Sequence, residues 1–161
     1  MSIKTDNLLT KGLAVGYAGT QKPKLVERVG FTGASNHFVS SNGTYHDEWF
    51  ADKNGGGQEL VIAGKESATR LYGGGVSSTE ELTQLGLTAG DVIQRLIVSV
   101  QQLGGKTRLH EPCSLELPDG WRYVYTILKK SEKVPLTIGY ESILYNGREV
   151  FAHGHILSSI K

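Results

Sequence analysis

The chain has 161 residues with 21 glycines, one cysteine and a formal net charge of +1. That length can bury a core in a single domain, 1–161, without disulfide or metal staples, and the balanced charge offers no footprint for nucleic acid or an anionic membrane surface. Cys113 has no partner for an internal disulfide, no apolar run approaches the roughly 20 residues of a membrane span, and MSIKTDNLL has no secretory hydrophobic region, so a cytoplasmic setting is expected.

The first predicted element is a helix over DNLLTKGLAVGYAG, with Leu8, Leu9 and Leu13 on one side. Gly12 and Gly16 weaken it by ~1 kcal/mol each, but two glycines four apart would let it approach a sheet closely. HFVSS and TYHDEWFA follow as a hairpin around Asn42-Gly43, and ELVIA and ESATRLY as another around Gly64-Lys65. The polar stretch SSTEELTQLGL, 77–87, lacks strand alternation and reads as a boundary. TAGDVIQRLIVSVQQLGG is the clearest helix: Thr88 and Asp91 suit a capping box, and Val92, Ile93, Leu96, Ile97, Val100 and Leu103 form one stripe. Gly104-Gly105 stops it. SLELP and WRYVYTIL then flank Asp119-Gly120, while ESILY and REVFAHGHIL flank Asn146-Gly147. Asn-Gly and Asp-Gly favour a type I′ hairpin, in which both central residues take positive φ.

The second series repeats the first in order. GQELVIAGKESATRLYGGG, from Gly57, comes round again as GYESILYNGREVFAHGH, from Gly139. An α+β fold is expected, with two similar helix-plus-antiparallel-meander halves, 5–76 and 88–157. The helices would pack on antiparallel sheet, a pseudo-twofold would relate the halves, and a cleft would lie at their junction. The loop KKSEKVPLT makes the second half longer than the first, which has ADKNGGG there.

LLTKGLAVGYAG, YHDEWF and GGQELVIAGKESATRLYGGGV resemble an uncharacterised bacterial family, domain of unknown function 5680. The matching positions are Tyr17, Ala18 and Gly19; Asp47, Trp49 and Phe50; Gly57 and Glu59; Gly64 and Lys65; and Tyr72, Gly73 and Gly74. The second half is similar more loosely through Asp119, Gly120, Tyr123, Gly139, Glu141 and Gly147. Ala68 stands where the family pattern has Trp. The resemblance implies a fold and a ligand-responsive role, and it brings no chemistry with it.

Strand alternation sorts the candidate site residues by face. After Asn146-Gly147, Glu149, Phe151, His153, His155 and Leu157 share one face. Val150, Ala152, Gly154 and Ile156, small and apolar, share the face expected to lie under a helix. Aligned on the turns, His153 answers to Arg70 and His155 to Tyr72, while Tyr123 and Tyr125 answer to His46 and Glu48. Histidines at i and i+2 on a strand can share a metal with Glu141 or Glu59 as third ligand, but solvent-facing or hydrogen-bonded sheet residues are the commoner outcome, and neither a metal nor a cofactor is expected. Glu59 and Glu141 next to recurring glycines suit structural hydrogen bonding better than paired acid–base work. The glycine runs 55–57 and 73–75 read as flexible turns. Gly-x-Ser-x-Gly, His-Glu-x-x-His and phosphate-loop patterns are all missing.

The expected function is a non-catalytic small-molecule-binding domain that senses or sequesters a polar aromatic or anionic ligand, nucleotide-like in character. The expected ligand-binding residues are Glu59, Arg70, Tyr72, Tyr123, Tyr125, Glu141, His153 and His155, with anion binding strengthening as pH falls through the histidine range. The alternatives are a hydrolase or isomerase using His153 and His155 with Glu141, and a protein-interaction or homo-oligomeric assembly module.

Overall fold

The computed structural model describes residues 2–51 and 54–160. In chain order these form α1 (Ile3–Val15), β1 (Lys24–Arg28), β2 (Phe31–Ser40), β3 (Gly43–Ala51), β4 (Asn54–Ala63), β5 (Glu66–Val76), α2 (Thr79–Gln84), α3 (Ala89–Gln102), β6 (Cys113–Glu116), β7 (Trp121–Lys130), β8 (Leu136–Tyr145) and β9 (Arg148–Ile160). The strands make one nine-stranded sheet in the order β1-β2-β3-β4-β5-β9-β8-β7-β6, with every neighbouring pair antiparallel. The fold is α+β, as the pattern predicts. From the central β5–β9 pair the strands run outward as β4, β3, β2, β1 on one side and β8, β7, β6 on the other. No helix among the described residues is long and apolar enough to cross a membrane.

Both long helices cover the same face of the sheet. Thr88 and Asp91 close the capping box of α3, and Val92, Leu96 and Val100 are buried on Tyr123, Tyr125, Ile143 and Phe151. Leu103, expected on that stripe, is the half-buried C-cap. Leu8 and Leu9 of α1 sit on Tyr45, Val61, Ala68 and Leu157. A side chain at Gly12 would run into the Tyr45 ring. The residue that weakens α1 as a helix is therefore the one that lets it settle onto the sheet.

Several expectations need correction. The boundary stretch holds α2, capped by a Ser78–Glu81 capping box; its one buried residue, Leu82, is too little to make a periodic pattern. Ser40 pairs with Gly43, so the first turn is Ser41-Asn42 and Gly43 already belongs to β3. The corresponding later turn has three residues, Pro118-Asp119-Gly120, because the Leu117 amide donates to the Trp121 carbonyl. That extra residue puts the turn-based alignment one step out. Asp47 and Tyr125 are the cross-strand partners of Glu59 and Glu141, so Tyr45 and Asp47, not His46 and Glu48, answer to Tyr123 and Tyr125. Asn146-Gly147 has both residues at positive φ, as expected of type I′.

The glycine runs are strand. Gly55, Gly56 and Gly57 pair with Gly74, Gly73 and Tyr72, and Gly73 pairs on its other side with Gly154. Asp52 and Lys53, in the expected loop ADKNGGG, lie outside the described residues. The face assignment in β9 holds at Val150, which is buried, and reverses beyond the register irregularity beside it. Phe151, His155 and Leu157 are buried under the helices and His153 is half-buried, while Gly154 and Ile156 face outward.

Candidate functional site

The recurring Gly-x-Glu has a steric cause. A side chain at Gly57 would strike the Tyr72 hydroxyl and Trp49, and one at Gly139 would strike the Tyr125 ring. Each glycine clears space for a tyrosine beside the glutamate two residues on, and both glutamates are buried on the helix-covered face.

Glu59 is fully engaged. Arg70, its cross-strand partner on β5, donates through Nε to Oε2 and through Nη2 to Oε1 at 2.6 Å. Tyr45 donates its hydroxyl to Oε1 at 2.8 Å. Arg70 also donates through Nη1 to the Arg108 carbonyl at 3.1 Å. Burial pushes the Glu59 carboxyl up, but the Arg70 charge and hydrogen bonds outweigh it and hold the carboxyl below its usual range.

Glu141 is engaged on one side. Arg108, from the loop after α3, donates through Nε to Oε1 at 2.8 Å, and Tyr123 donates to the same oxygen at 2.6 Å. Oε2 accepts no hydrogen bond from any described residue. It faces His155 Nε2 at 3.5 Å and His153 Nδ1 at 3.9 Å, and those nitrogens likewise make no hydrogen bond among the described residues. Burial favours the neutral carboxyl, yet Arg108 and the adjacent His155 hold Glu141 well below the carboxylate range. Burial, with the Arg108 charge, pushes His153 down to about 3, and burial also lowers His155. Both shifts favour the neutral imidazole and so weigh against histidine-driven anion binding.

A cavity of about 190 Å³ lies beside this network. Leu13, Tyr17 and Ile93 close it on the helical side; Trp49, Tyr72 and Phe151 supply aromatic walls; Asp47, Glu59, Arg108 and His153 supply its polar groups. Asp47 accepts from the Tyr72 hydroxyl at 3.0 Å. Burial and the Glu59 charge push its carboxyl up to about 8. The Arg108 guanidinium lies 5.5 Å from the Tyr17 ring centre.

Of the expected ligand-binding residues, Glu59, Tyr72 and His153 line the cavity. Arg70, Tyr123, Tyr125, Glu141 and His155 lie behind it. Arg70 is spent on Glu59, Tyr123 on Glu141, and Tyr125 donates to the Leu109 carbonyl at 2.8 Å. Sequence reasoning missed Arg108, Asp47 and Tyr17. Arg108 has φ +60° in a loop with no periodicity, so no pattern marks it. Asp47 and Tyr17 stand among the residues of the resemblance, which gives them no role; alternation in the Asp47 strand points to a cleft but not to Asp47 itself. No protein-family model, no curated protein and no solved structure matches the chain.

Proposed function

We propose that this domain binds a small, largely apolar molecule with one or two polar groups in the cavity between the helical layer and the sheet, without transforming it. The carrying observation is a mostly aromatic and aliphatic enclosure with a few convergent polar side chains, the usual composition of a ligand site. At about 190 Å³ the cavity compares with the engineered cavity of about 150 Å³ that admits benzene. A ligand of one ring, held by Asp47 and by Arg108, suits it better than a whole nucleotide. The resemblance to domain of unknown function 5680 is part of the same reading, through the ligand-responsive role that it implies.

The cavity belongs, in this reading, to a duplicated unit with halves 5–76 and 88–157 about a pseudo-twofold between β5 and β9. Support comes from the strand order, which runs outward similarly from that pair, and from the two buried glutamates, each with a tyrosine and an arginine. Native mass spectrometry of freshly purified protein tests the ligand directly. A retained small-molecule adduct, lost on Ala51→Trp at the cavity rim, is expected. No adduct, together with no response to single-ring fragments by ligand-observed NMR, contradicts the reading.

A second reading, self-assembly, is favoured by one observation. Leu71, Ile156 and Ile138 form an apolar row across three strands on the outer face, and Leu71 and Ile156 are exposed. Light scattering that shows a concentration-dependent mass, abolished by Leu71→Lys, would favour it.

A further inference from the structure

The two histidines and the free oxygen of Glu141 make a more specific arrangement than the cavity reading uses. Their ligand-type atoms, one from each residue, all lie within 4.8 Å of one another. Metal–ligand bonds of about 2.0–2.1 Å at tetrahedral angles hold ligand atoms about 3.3 Å apart. The 3.5 Å and 3.9 Å separations from Oε2 are close to that value. A buried carboxylate oxygen and buried imidazole nitrogens without hydrogen bonds are costly, and one cation satisfies all three.

We propose that Glu141, His153 and His155 bind one divalent transition-metal ion, of the zinc or iron(II) kind, at the floor of the cavity. Two imidazoles and one carboxylate are a known donor set for both ions, and such sites leave coordination positions open. His153 lines the cavity, so the open side is the one from which a small molecule would approach. The surroundings orient the ligands. Arg108 and Tyr123 anchor Oε1 and leave Oε2 to the metal. Arg108 opposes the ion by its charge. It is already paired through Glu141 Oε1.

The proposal does not depend on an organic ligand. It is tested on tag-free protein stripped with chelator and titrated with zinc, with cobalt(II) as the spectroscopic probe. One equivalent per chain is expected, with cobalt bands of a four- or five-coordinate site. His153→Gln and Glu141→Gln should each weaken binding about tenfold or more. If the variant at buried Glu141 does not fold, His153→Gln, whose side chain is 15% exposed, carries the test alone. Ala51→Trp should leave metal affinity unchanged while blocking the cavity, so the two readings fail separately. Absence of a stoichiometric site in folded protein, or zinc affinity unchanged by His153→Gln, overturns the proposal.

Discussion

Glu59 and Glu141 occupy matching places, two residues after a glycine, buried on the same face, each accepting a tyrosine hydroxyl and an arginine. They differ in where the arginine comes from. At Glu59 it is the cross-strand partner itself, Arg70, which grips both oxygens. At Glu141 the cross-strand position holds His153, and the arginine is Arg108, brought in from a loop to one oxygen. A fork delivered by the adjacent strand closes the first site. A loop-borne guanidinium plus an imidazole leaves the second open. The difference teaches that an arginine reaching in from a loop to one oxygen of a buried carboxylate leaves the other oxygen without a donor.

The largest effect should come from breaking the closed site. Arg70→Ala strands a buried carboxylate and also releases the Arg108 carbonyl, so chemical denaturation should show a loss of about 3–5 kcal/mol. Arg70 and Glu59 are both almost wholly inaccessible to solvent, so solvent screening relieves little of this. Glu141→Gln should cost less, about 1–3 kcal/mol, because its second oxygen makes no hydrogen bond to begin with. Equal losses at the two sites would erase the distinction. Tyr72→Phe removes the hydroxyl that Asp47 accepts and should cost about 0.5–1.5 kcal/mol in the same assay.

The smallest effect is read as a slope. The Asp47 carboxyl is raised from 3.8 to about 8 in the fold by burial and by Glu59, against the Tyr72 hydrogen bond and the Arg70 and Arg108 charges. Between those values the folded state holds a proton that the unfolded chain has released. Its contribution to stability is therefore complete below the unfolded value and is lost as pH rises through about 8. Asp47→Asn should gain on the wild type steadily from pH 4 to about 8 and then level off. Parallel curves would place Asp47 in an unperturbed environment.

Much of the fold was legible because it rests on local rules. The α3 stripe, its capping box and the Asn146-Gly147 turn follow from periodicity and turn chemistry. The one-residue difference between Ser41-Asn42 and Pro118-Asp119-Gly120 was not legible, since both look like two-residue signals. It hid Tyr45 and Asp47 from the alignment. The candidate site was half legible. Register alone pairs Glu59 with Arg70 and Glu141 with His153. The face was misjudged because two histidines look solvent-facing when the charges that accompany them indoors are unseen. Arg108 could not be found at all, because its position depends on how a loop folds back over the sheet.

An anomalous-diffraction map from crystals of the tag-free protein grown with cobalt(II) compares the two glutamates in one experiment. The account predicts a single strong peak bounded by Glu141 Oε2, His153 and His155, with none beside Glu59, where Arg70 and Tyr45 leave no oxygen free. A map with no peak at Glu141, showing instead His155 Nε2 drawn in to hydrogen-bond Oε2, would contradict it.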